Sequence, residues 1–234
     1  MVESLLKDEP TGSTKTISIL IADDHPLLRQ ALRYVLEKQS DFKVVAEAGD
    51  GEEAIKLTTK LSPDVVIMDI SMPVLNGLEA TRIIKEKCPR TAILVLTVHN
   101  DIEHVFGILE AGAAGYLTKS VFGEQVPNAV RSLVNGETIL TTQIFQQLLK
   151  HAIRYPVKPV IVSGGQSLST RDMEILKLAA KGMNNKDIAS ELNLSLRTVK
   201  GYMVDIFTKL NVSSRTEAVI TGLKMGIITL SDLE

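Results

Sequence analysis

Residues 65–73 are Val-Val-Ile-Met-Asp-Ile-Ser-Met-Pro, and Asn76-Gly77 follows shortly after. The first four residues form an unbroken apolar run, which is typical of a strand buried on both faces of a parallel sheet. The run ends on the carboxylate of Asp69, and Pro73 and Asn76-Gly77 then indicate a loop. Open α/β sheets place their chemistry at this end of a strand. Because Asp is also a common turn residue, this stretch alone leaves both interpretations of Asp69 open.

Strand and helix patterns alternate on both sides of this stretch. We predict strands over 17–22, 42–48, 65–69, 92–96 and 114–117, and helices over 26–39, 51–61, 76–87, 102–111 and 123–135. Five such units predict an α/β fold with a doubly wound, five-stranded parallel sheet covered by helices. If the strand order is flavodoxin-like, the first and third strands are neighbours.

The pattern changes after residue 136. Helix periodicity over 141–153 is followed by Pro-rich and Gly-rich segments, and from residue 168 only helix signals remain. These signals predict a small all-α domain at the C-terminus. We therefore expect four parts, namely a flexible tail over 1–16, an α/β domain over 17–136, a helix and linker over 137–167 and a helical domain over 168–234.

Composition excludes several classes of protein. The 234 residues have a formal net charge of −2, so the chain is not a strongly basic polyanion binder, although a local basic face is still allowed. A single cysteine, Cys88, excludes an internal disulfide and a thiolate metal cluster. We do not expect residues 1–16 to act as a signal peptide, and no apolar run in the sequence reaches membrane-spanning length. We expect a cytoplasmic protein without a membrane partner.

Polar residues follow four of the five predicted strands. Asp23-Asp24 comes after the first strand, Asp69 after the third, Thr97 after the fourth and Lys119 after the fifth. All of these positions fall on one edge of a parallel sheet. Carboxylates without His or Cys suit Mg²⁺, and a hydroxyl and an ammonium opposite them suit a phosphoryl group. Each residue alone has an ordinary alternative as a turn former, a strand-end hydroxyl or a solvated charge.

The last four helices carry capping signals. Ser169 with Asp172 and Ser214 with Glu217 predict capping boxes, while Asn184 or Asn185 and then Ser195 predict the two helix starts between them. Two helices joined by a tight turn indicate a helix-turn-helix, and a generic four-helix bundle is the alternative. We expect a core of Ile188, Ala189, Leu192, Leu194, Val199 and Ile206, and a groove-facing side of Arg197, Thr198, Lys200, Gly201 and Val204.

Residues 17–136 resemble the receiver domain of a two-component response regulator. The similarity lies in Ile-Ala-Asp-Asp-His-Pro at 21–26, Val-Ile-Met-Asp-Ile-Ser-Met-Pro at 66–73, Leu-Thr-Val-His at 96–99 and Gly-Tyr-Leu-Thr-Lys at 115–119. The resemblance implies that Asp69 accepts a phosphoryl group. It also implies that Asp24 and Asp69 bind Mg²⁺ directly with the backbone carbonyl of Ser71, and that Asp23 acts mostly through water.

The same resemblance assigns the remaining polar residues of this edge. Lys119 contacts the acyl phosphate, and Thr97 with Tyr116 forms a switch pair in which Tyr116 rotates inward when Thr97 moves. One departure is Ser120 after Lys119, where many receivers have Pro. This departure concerns the loop geometry and leaves the role of the lysine unchanged.

Residues 168–234 resemble the LuxR-type DNA-binding domain, and the two domains together resemble the NarL/FixJ family of transcriptional regulators. The similarity lies in Leu-Ser-Thr-Arg-Asp-Met-Glu-Ile-Leu at 168–176, Asn-Lys-Asp-Ile-Ala at 185–189, Thr-Val-Lys at 198–200 and Lys-Leu-Asn-Val-Ser-Ser-Arg-Thr-Glu-Ala at 209–218. The resemblance places the helix-turn-helix at about 185–204. It implies base contacts from Lys200, Gly201 and Val204 and phosphate contacts from Asn185, Thr198 and Lys209.

The family implies a phosphorylation-dependent transcriptional regulator rather than an enzyme. A sensor histidine kinase would phosphorylate Asp69, and a homodimer would then bind promoter DNA, with RNA polymerase as a further partner. We also expect the receiver to cover Lys200 in the resting state. Two alternatives are an unphosphorylated receiver that dimerises constitutively and a phosphatase of the haloacid dehalogenase type. The second lacks support, because those enzymes have Asp where this chain has Ser71.

Overall fold

The computed structural model describes residues 16–98, 102–120, 124–139, 167–229 and 232. Its first part is a five-stranded parallel sheet in the order β2-β1-β3-β4-β5. The strands are β1 (Ile17–Ala22), β2 (Phe42–Ala48), β3 (Val65–Met68), β4 (Ala92–Thr97) and β5 (Gly115–Thr118). The predicted doubly wound sheet and its flavodoxin-like order are confirmed, and the strand ends differ from prediction by at most one residue.

Five helices follow the five strands. They are α1 (Pro26–Glu37), α2 (Gly51–Leu61), α3 (Gly77–Lys87), α4 (Ile102–Glu110) and α5 (Gln125–Val134). Side chains fix two of the helix starts, since Asp50 accepts a hydrogen bond from the Glu53 amide and Asn76 accepts one from the Glu79 amide. The predicted helix 26–39 ends two residues early, at Glu37, and the helix predicted over 123–135 begins at Gln125 and ends at Val134.

Alternation along the strands creates an apolar core on each face of the sheet. In β1, Leu20 points to the face covered by α2, α3 and α4, while Ile19 and Ile21 point to the face covered by α1 and α5. All four residues of β3 are buried. This is the burial that the apolar run of residues 65–68 predicts, and it places β3 at the centre of the sheet.

The described C-terminal residues form four helices: α6 (Thr170–Ala180), α7 (Asn185–Glu191), α8 (Leu196–Leu210) and α9 (Arg215–Lys224). They share one apolar core that contains Ile188, Ala189, Val199 and Ile206, with Leu192 and Leu194 partly buried against it. The six core residues expected from the helix-turn-helix pattern are therefore confirmed. Asn184 caps α7, which decides between the two candidate asparagines.

One capping prediction needs a correction. Ser169 and Asp172 form the expected reciprocal capping box on α6. Ser214 caps α9 by accepting from the Glu217 amide, but the Glu217 carboxylate accepts from the amide and hydroxyl of Ser213 instead of the Ser214 amide. The Glu217 carboxylate thus accepts two hydrogen bonds from one residue, Ser213.

Some predictions concern residues outside the described part of the chain. These are the tail over 1–16 and the helix and linker over 137–167, of which only residues 16, 137–139 and 167 are described. The division of the chain into these four parts accordingly stays a prediction. No helix within the described residues is long and apolar enough to cross a lipid bilayer.

Candidate functional site

Three carboxylates meet at the carboxyl edge of the sheet, as the strand-end pattern predicts. The Asp69 amide donates to the Ala22 carbonyl at 2.8 Å, which ties the ends of β3 and β1 together. Asp23 and Asp69 are each only 2% exposed, and the Asp24 side chain is 31% exposed. Gly77 lets α3 begin beside them, because a Cβ there would lie 1.9 Å from the Asp69 carbonyl oxygen. No other residue fits this close approach.

Lys119 reaches the cluster from the end of β5. Its Nζ lies 2.7 Å from Asp23 Oδ2 and 2.8 Å from Asp69 Oδ2, and its backbone amide donates to the Thr97 carbonyl. Burial of the ammonium opposes its charge, but its hydrogen bonds to Asp23 and Asp69 outweigh that effect and raise the pKa of Lys119. A lysine held charged between two buried carboxylates is placed to contact a third anionic group.

The cluster also meets the requirements of a hard divalent cation. Ligand atoms of Asp23, Asp24, His25 and Asp69 all lie within 4.8 Å of one another. Asp24 Oδ1 is buried and accepts no hydrogen bond of normal geometry, although His25 Nδ1 lies beside it. A buried carboxylate oxygen without a hydrogen bond and an oxygen-rich ligand set are both features that Mg²⁺ satisfies. Ser71, the fourth predicted protein ligand, lies in the exposed loop two residues after Asp69, and its role stays a prediction.

His25 is a member of the cluster that the sequence analysis missed. Its Nδ1 lies 2.7 Å from Asp24 Oδ1 and 3.2 Å from Asp23 Oδ1, and its amide donates to Asp23 Oδ1 at 2.9 Å. His25 was not assigned to this site from the sequence. The signal was available, because a residue directly after Asp24 cannot lie far from the carboxylates.

The predicted switch pair is buried in the structure. Thr97 is 0% and Tyr116 is 1% exposed, and the Tyr116 amide donates to the Ile139 carbonyl at 2.8 Å. We expected Tyr116 to rotate inward in response to Thr97, but its ring already belongs to the buried cluster that includes β3, α4 and Ile220 of α9. The role of the pair stays a prediction, and in this conformation the inward position is already filled.

The predicted groove-facing residues lie on α8. Arg197, Thr198, Gly201 and Val204 are exposed, with Val204 at 62%, while Val199 points into the helical core. Ser195 caps the helix by accepting from the Thr198 amide at 3.0 Å. The helix thus presents polar residues and its N-terminal amides on one side, which is the geometry that a groove-reading helix needs.

Three predicted DNA contacts are engaged inside the protein. Asn185 is buried, donates to the Asn135 carbonyl and accepts from Arg215, while Lys200 Nζ donates to Asn135 Oδ1 at 3.2 Å. Lys209 Nζ lies 2.6 Å from Asp172 Oδ2. Lys209 therefore stabilises the start of α6 in this structure. All three assignments to DNA contacts stay predictions.

The two parts of the chain also meet through α4 and α9. Lys224 of α9 pairs with Glu110 of α4, and its ammonium lies 5.5 Å from the centre of the Phe106 ring. Ile220 packs into the apolar cluster on the α4 side of the sheet. The helical part thus rests on the helix that follows the Thr97 strand end, where the site lies.

Comparisons with known proteins agree with both parts of the chain. The family model for the response regulator receiver domain matches residues 19–131, and the model for bacterial regulatory proteins of the luxR family matches residues 166–221. Fold, acidic edge and helix-turn-helix thus define a response regulator with a DNA-binding output domain. Its similarity to known regulators covers nearly the whole chain.

Among curated proteins, the oxygen regulatory protein NreC of Staphylococcus haemolyticus is 40% identical to this chain. The alignment covers 91% of this chain and 99% of NreC. The response regulator UvrY of Escherichia coli is 37% identical, with 93% and 98% covered. A solved structure of RcsB dimers bound to DNA is 26% identical in sequence and has a TM-score of 0.53. The match covers 92% of this chain and 100% of the RcsB chain. The chain belongs to the NarL/FixJ family of two-component response regulators. Its relatives are transcriptional regulators and not classical enzymes.

Proposed function

We propose that this response regulator accepts a phosphoryl group on Asp69 from a sensor histidine kinase and that the modification controls binding to promoter DNA. The observation that carries the proposal is the position of the Asp69 carboxylate. It is buried at the sheet edge, beside two further acids and in direct contact with the Lys119 ammonium. A carboxylate that only begins a turn has no need for this surrounding.

The reaction is a transfer between two side chains. A carboxylate oxygen of Asp69 attacks the phosphorus of a phosphohistidine, an O–P bond forms, the N–P bond breaks and the kinase histidine keeps the electron pair. Lys119 offsets charge on the new acyl phosphate, and Thr97 is the predicted donor to another of its oxygens. Asp24, Asp69 and the Ser71 carbonyl would hold Mg²⁺, with Asp23 acting through water. When bound, Mg²⁺ supplies positive charge to the transferring phosphoryl oxygens.

We further propose that the receiver covers part of the DNA-binding surface before phosphorylation. A single residue, Asn135, contacts two predicted DNA contacts, because its carbonyl accepts from Asn185 and its side-chain oxygen accepts from Lys200. The cover is partial, since Val204 stays exposed. Equal nuclease protection and affinity for full-length protein and for the 168–234 fragment would contradict this part of the proposal.

The active form is proposed to be a homodimer on two half-sites. Residues 168–234 contain nine basic and eight acidic residues, which gives a net charge of +1. One helical domain therefore gains little binding free energy from neutralising DNA phosphates. Pairing two domains on one DNA compensates for weak single contacts. We propose that this binding takes place in the cytoplasm, where the DNA is. RNA polymerase is a further proposed partner of the DNA-bound dimer.

The chemical part is tested by incubating the protein with acetyl phosphate and Mg²⁺ and separating products on phosphate-affinity gels. We expect one shifted species from the native chain and none from Asp69→Ala. The shift should disappear with a chelator and return with added Mg²⁺. A native chain that is never modified, yet dimerises and binds DNA, would instead support the constitutively dimeric receiver.

A further inference from the structure

His25 extends the acidic cluster by one nitrogen ligand. One of its ring nitrogens lies within 4.8 Å of a carboxylate oxygen from each of Asp23, Asp24 and Asp69. The other three members offer only oxygen atoms, so His25 is the one group in this cluster with a different metal preference. His25 and the three aspartates thus form a site with both nitrogen and oxygen ligands.

The backbone holds His25 in this position. Its φ and ψ angles are −91° and 105°, an extended conformation that a following proline favours, and Pro26 begins α1. Its amide donates to Asp23 Oδ1 at 2.9 Å, which fixes the residue beside the carboxylates from the backbone side as well. The side chain is 68% exposed, so the ring lies at the solvent side of the cluster.

The His25 ring and the Asp24 carboxylate are in direct contact. The two atoms, Nδ1 and Oδ1, are 2.7 Å apart, yet Asp24 Oδ1 has no partner with hydrogen-bond geometry although the atom is buried. Two adjacent ligands of one six-coordinate cation, each about 2.1 Å from it, are separated by about 3 Å. The nitrogen and the oxygen therefore already lie close enough together for one ion to contact both.

We propose that His25 is a metal-selectivity residue, whose imidazole lets this pocket bind a first-row transition dication more tightly than Mg²⁺. The inference rests on the cation site of the proposed function. Imidazole nitrogen favours cobalt, nickel and zinc over magnesium more strongly than carboxylate oxygen does. His25 is not needed for Mg²⁺ itself, which the oxygen ligands bind.

The test is direct binding of Co²⁺ and of Mg²⁺ to the full-length protein by calorimetry, with the visible absorption of Co²⁺ as a second readout. We expect His25→Gln to weaken Co²⁺ binding by roughly tenfold or more and to change its spectrum, because a nitrogen ligand is lost. The affinity for Mg²⁺ should stay within about twofold of the native value, since its ligands are intact. All arms use one pH.

Two controls separate this inference from the function on which it rests. His104→Gln removes an exposed imidazole from α4 and should change neither affinity. Asp24→Asn should weaken the binding of both Co²⁺ and Mg²⁺. Normal Mg²⁺ binding and normal phosphorylation by acetyl phosphate, together with an unchanged Co²⁺ affinity in His25→Gln, would overturn the selectivity role alone. Absence of any Mg²⁺ binding by the native chain would instead overturn the proposed cation site.

Discussion

At the scale of single residues, Lys119 keeps the unmodified pocket stable. Two buried carboxylates in one pocket repel each other, and the ammonium between them removes that repulsion. The same ammonium is available for an incoming phosphoryl group. One residue therefore serves the resting protein and, in our proposal, the phosphorylated one.

Lys119→Met should lower the free energy of unfolding of the receiver by about 3 kcal/mol in metal-free buffer, because a buried ion pair loses its cation. Added Mg²⁺ should restore part of the loss by replacing the positive charge. Thermal unfolding with and without Mg²⁺ measures both effects. Lys43→Met, on an exposed position of β2, is the matched control, and equal behaviour of the two variants would contradict this account.

Lys85 is a buried lysine, and no local sequence pattern indicates its burial. Its Nζ donates to the carbonyls of Pro89 and Thr91, each at 2.8 Å, and reaches the Ser213 carbonyl of the helical part at 3.4 Å. Burial lowers the pKa of Lys85 from 10.5 to about 8. Lys85, which its position in the charged helix α3 would place at the surface, thus contacts both parts of the chain.

The lowered pKa of Lys85 makes stability depend on alkaline pH. Below pH 8 the residue is protonated in both folded and unfolded chains, and the folded chain bears the full desolvation penalty. Between about pH 8 and 10.5 the folded form loses its proton first, so stability rises by up to about 3 kcal/mol. Urea unfolding of the native chain and of Lys85→Met should diverge across this range. Parallel pH profiles would show that the ammonium is not desolvated.

At the scale of elements, the start of α6 joins two helices. Asp172 is buried and accepts from the amide and hydroxyl of Ser169 and from Lys209 of α8. Burial alone would raise the pKa of Asp172, but the bonds from Lys209 and Ser169 lower it. A capping residue has thereby become an anchor between α6 and the helix that would read DNA.

Asp172→Ala should therefore destabilise the helical part by about 3 kcal/mol, more than the ~1 kcal/mol of an ordinary cap. The reason is that Lys209 loses its buried partner while α6 loses its cap. Thermal unfolding of the full-length protein followed by circular dichroism measures the loss. Asp187→Ala, which changes the first turn of α7, is the control, and a similar small loss in both would argue against the anchor.

Elements were more predictable than side-chain partners. Apolar periodicity and the Ser169 and Ser195 caps are local signals, and they predicted the strands and the helix starts almost without error, whereas the strand order came with the resemblance to receiver domains. Strand ends also brought Asp23, Asp69 and Lys119 together, because topology fixes that edge. The contacts of Asn135 and Lys209 join residues distant in sequence, and no local pattern encodes them.

At the scale of the whole molecule, the helical part contacts the receiver through both α9 and α8. Helix α9 packs against α4, and Lys200 of α8 bonds to Asn135. Glu110 and Lys224 form a charged pair at this contact and the Phe106 ring lies beside it. Any change of α4 after phosphorylation would therefore act directly on the position of the helical part. This arrangement gives the proposed signal a short physical route.

Glu110→Lys or Lys224→Glu alone should loosen the docking and raise DNA affinity of the unphosphorylated protein by roughly fivefold, since like charges replace a pair worth about 1 kcal/mol. The double charge swap should return affinity toward the native value. Fluorescence anisotropy with a duplex selected from a random-sequence pool measures this. If both single variants bind like the native chain, the contact does not restrain DNA binding.

The most direct test of the central claim is DNA affinity of the full-length protein with Mg²⁺, with and without acetyl phosphate, beside Asp69→Ala. The account predicts that the phosphoryl donor tightens binding by the native chain and leaves the variant unchanged, because only Asp69 can carry the modification. Equal affinity in all four samples would contradict it and would leave Asp69 without a role in the control of DNA binding.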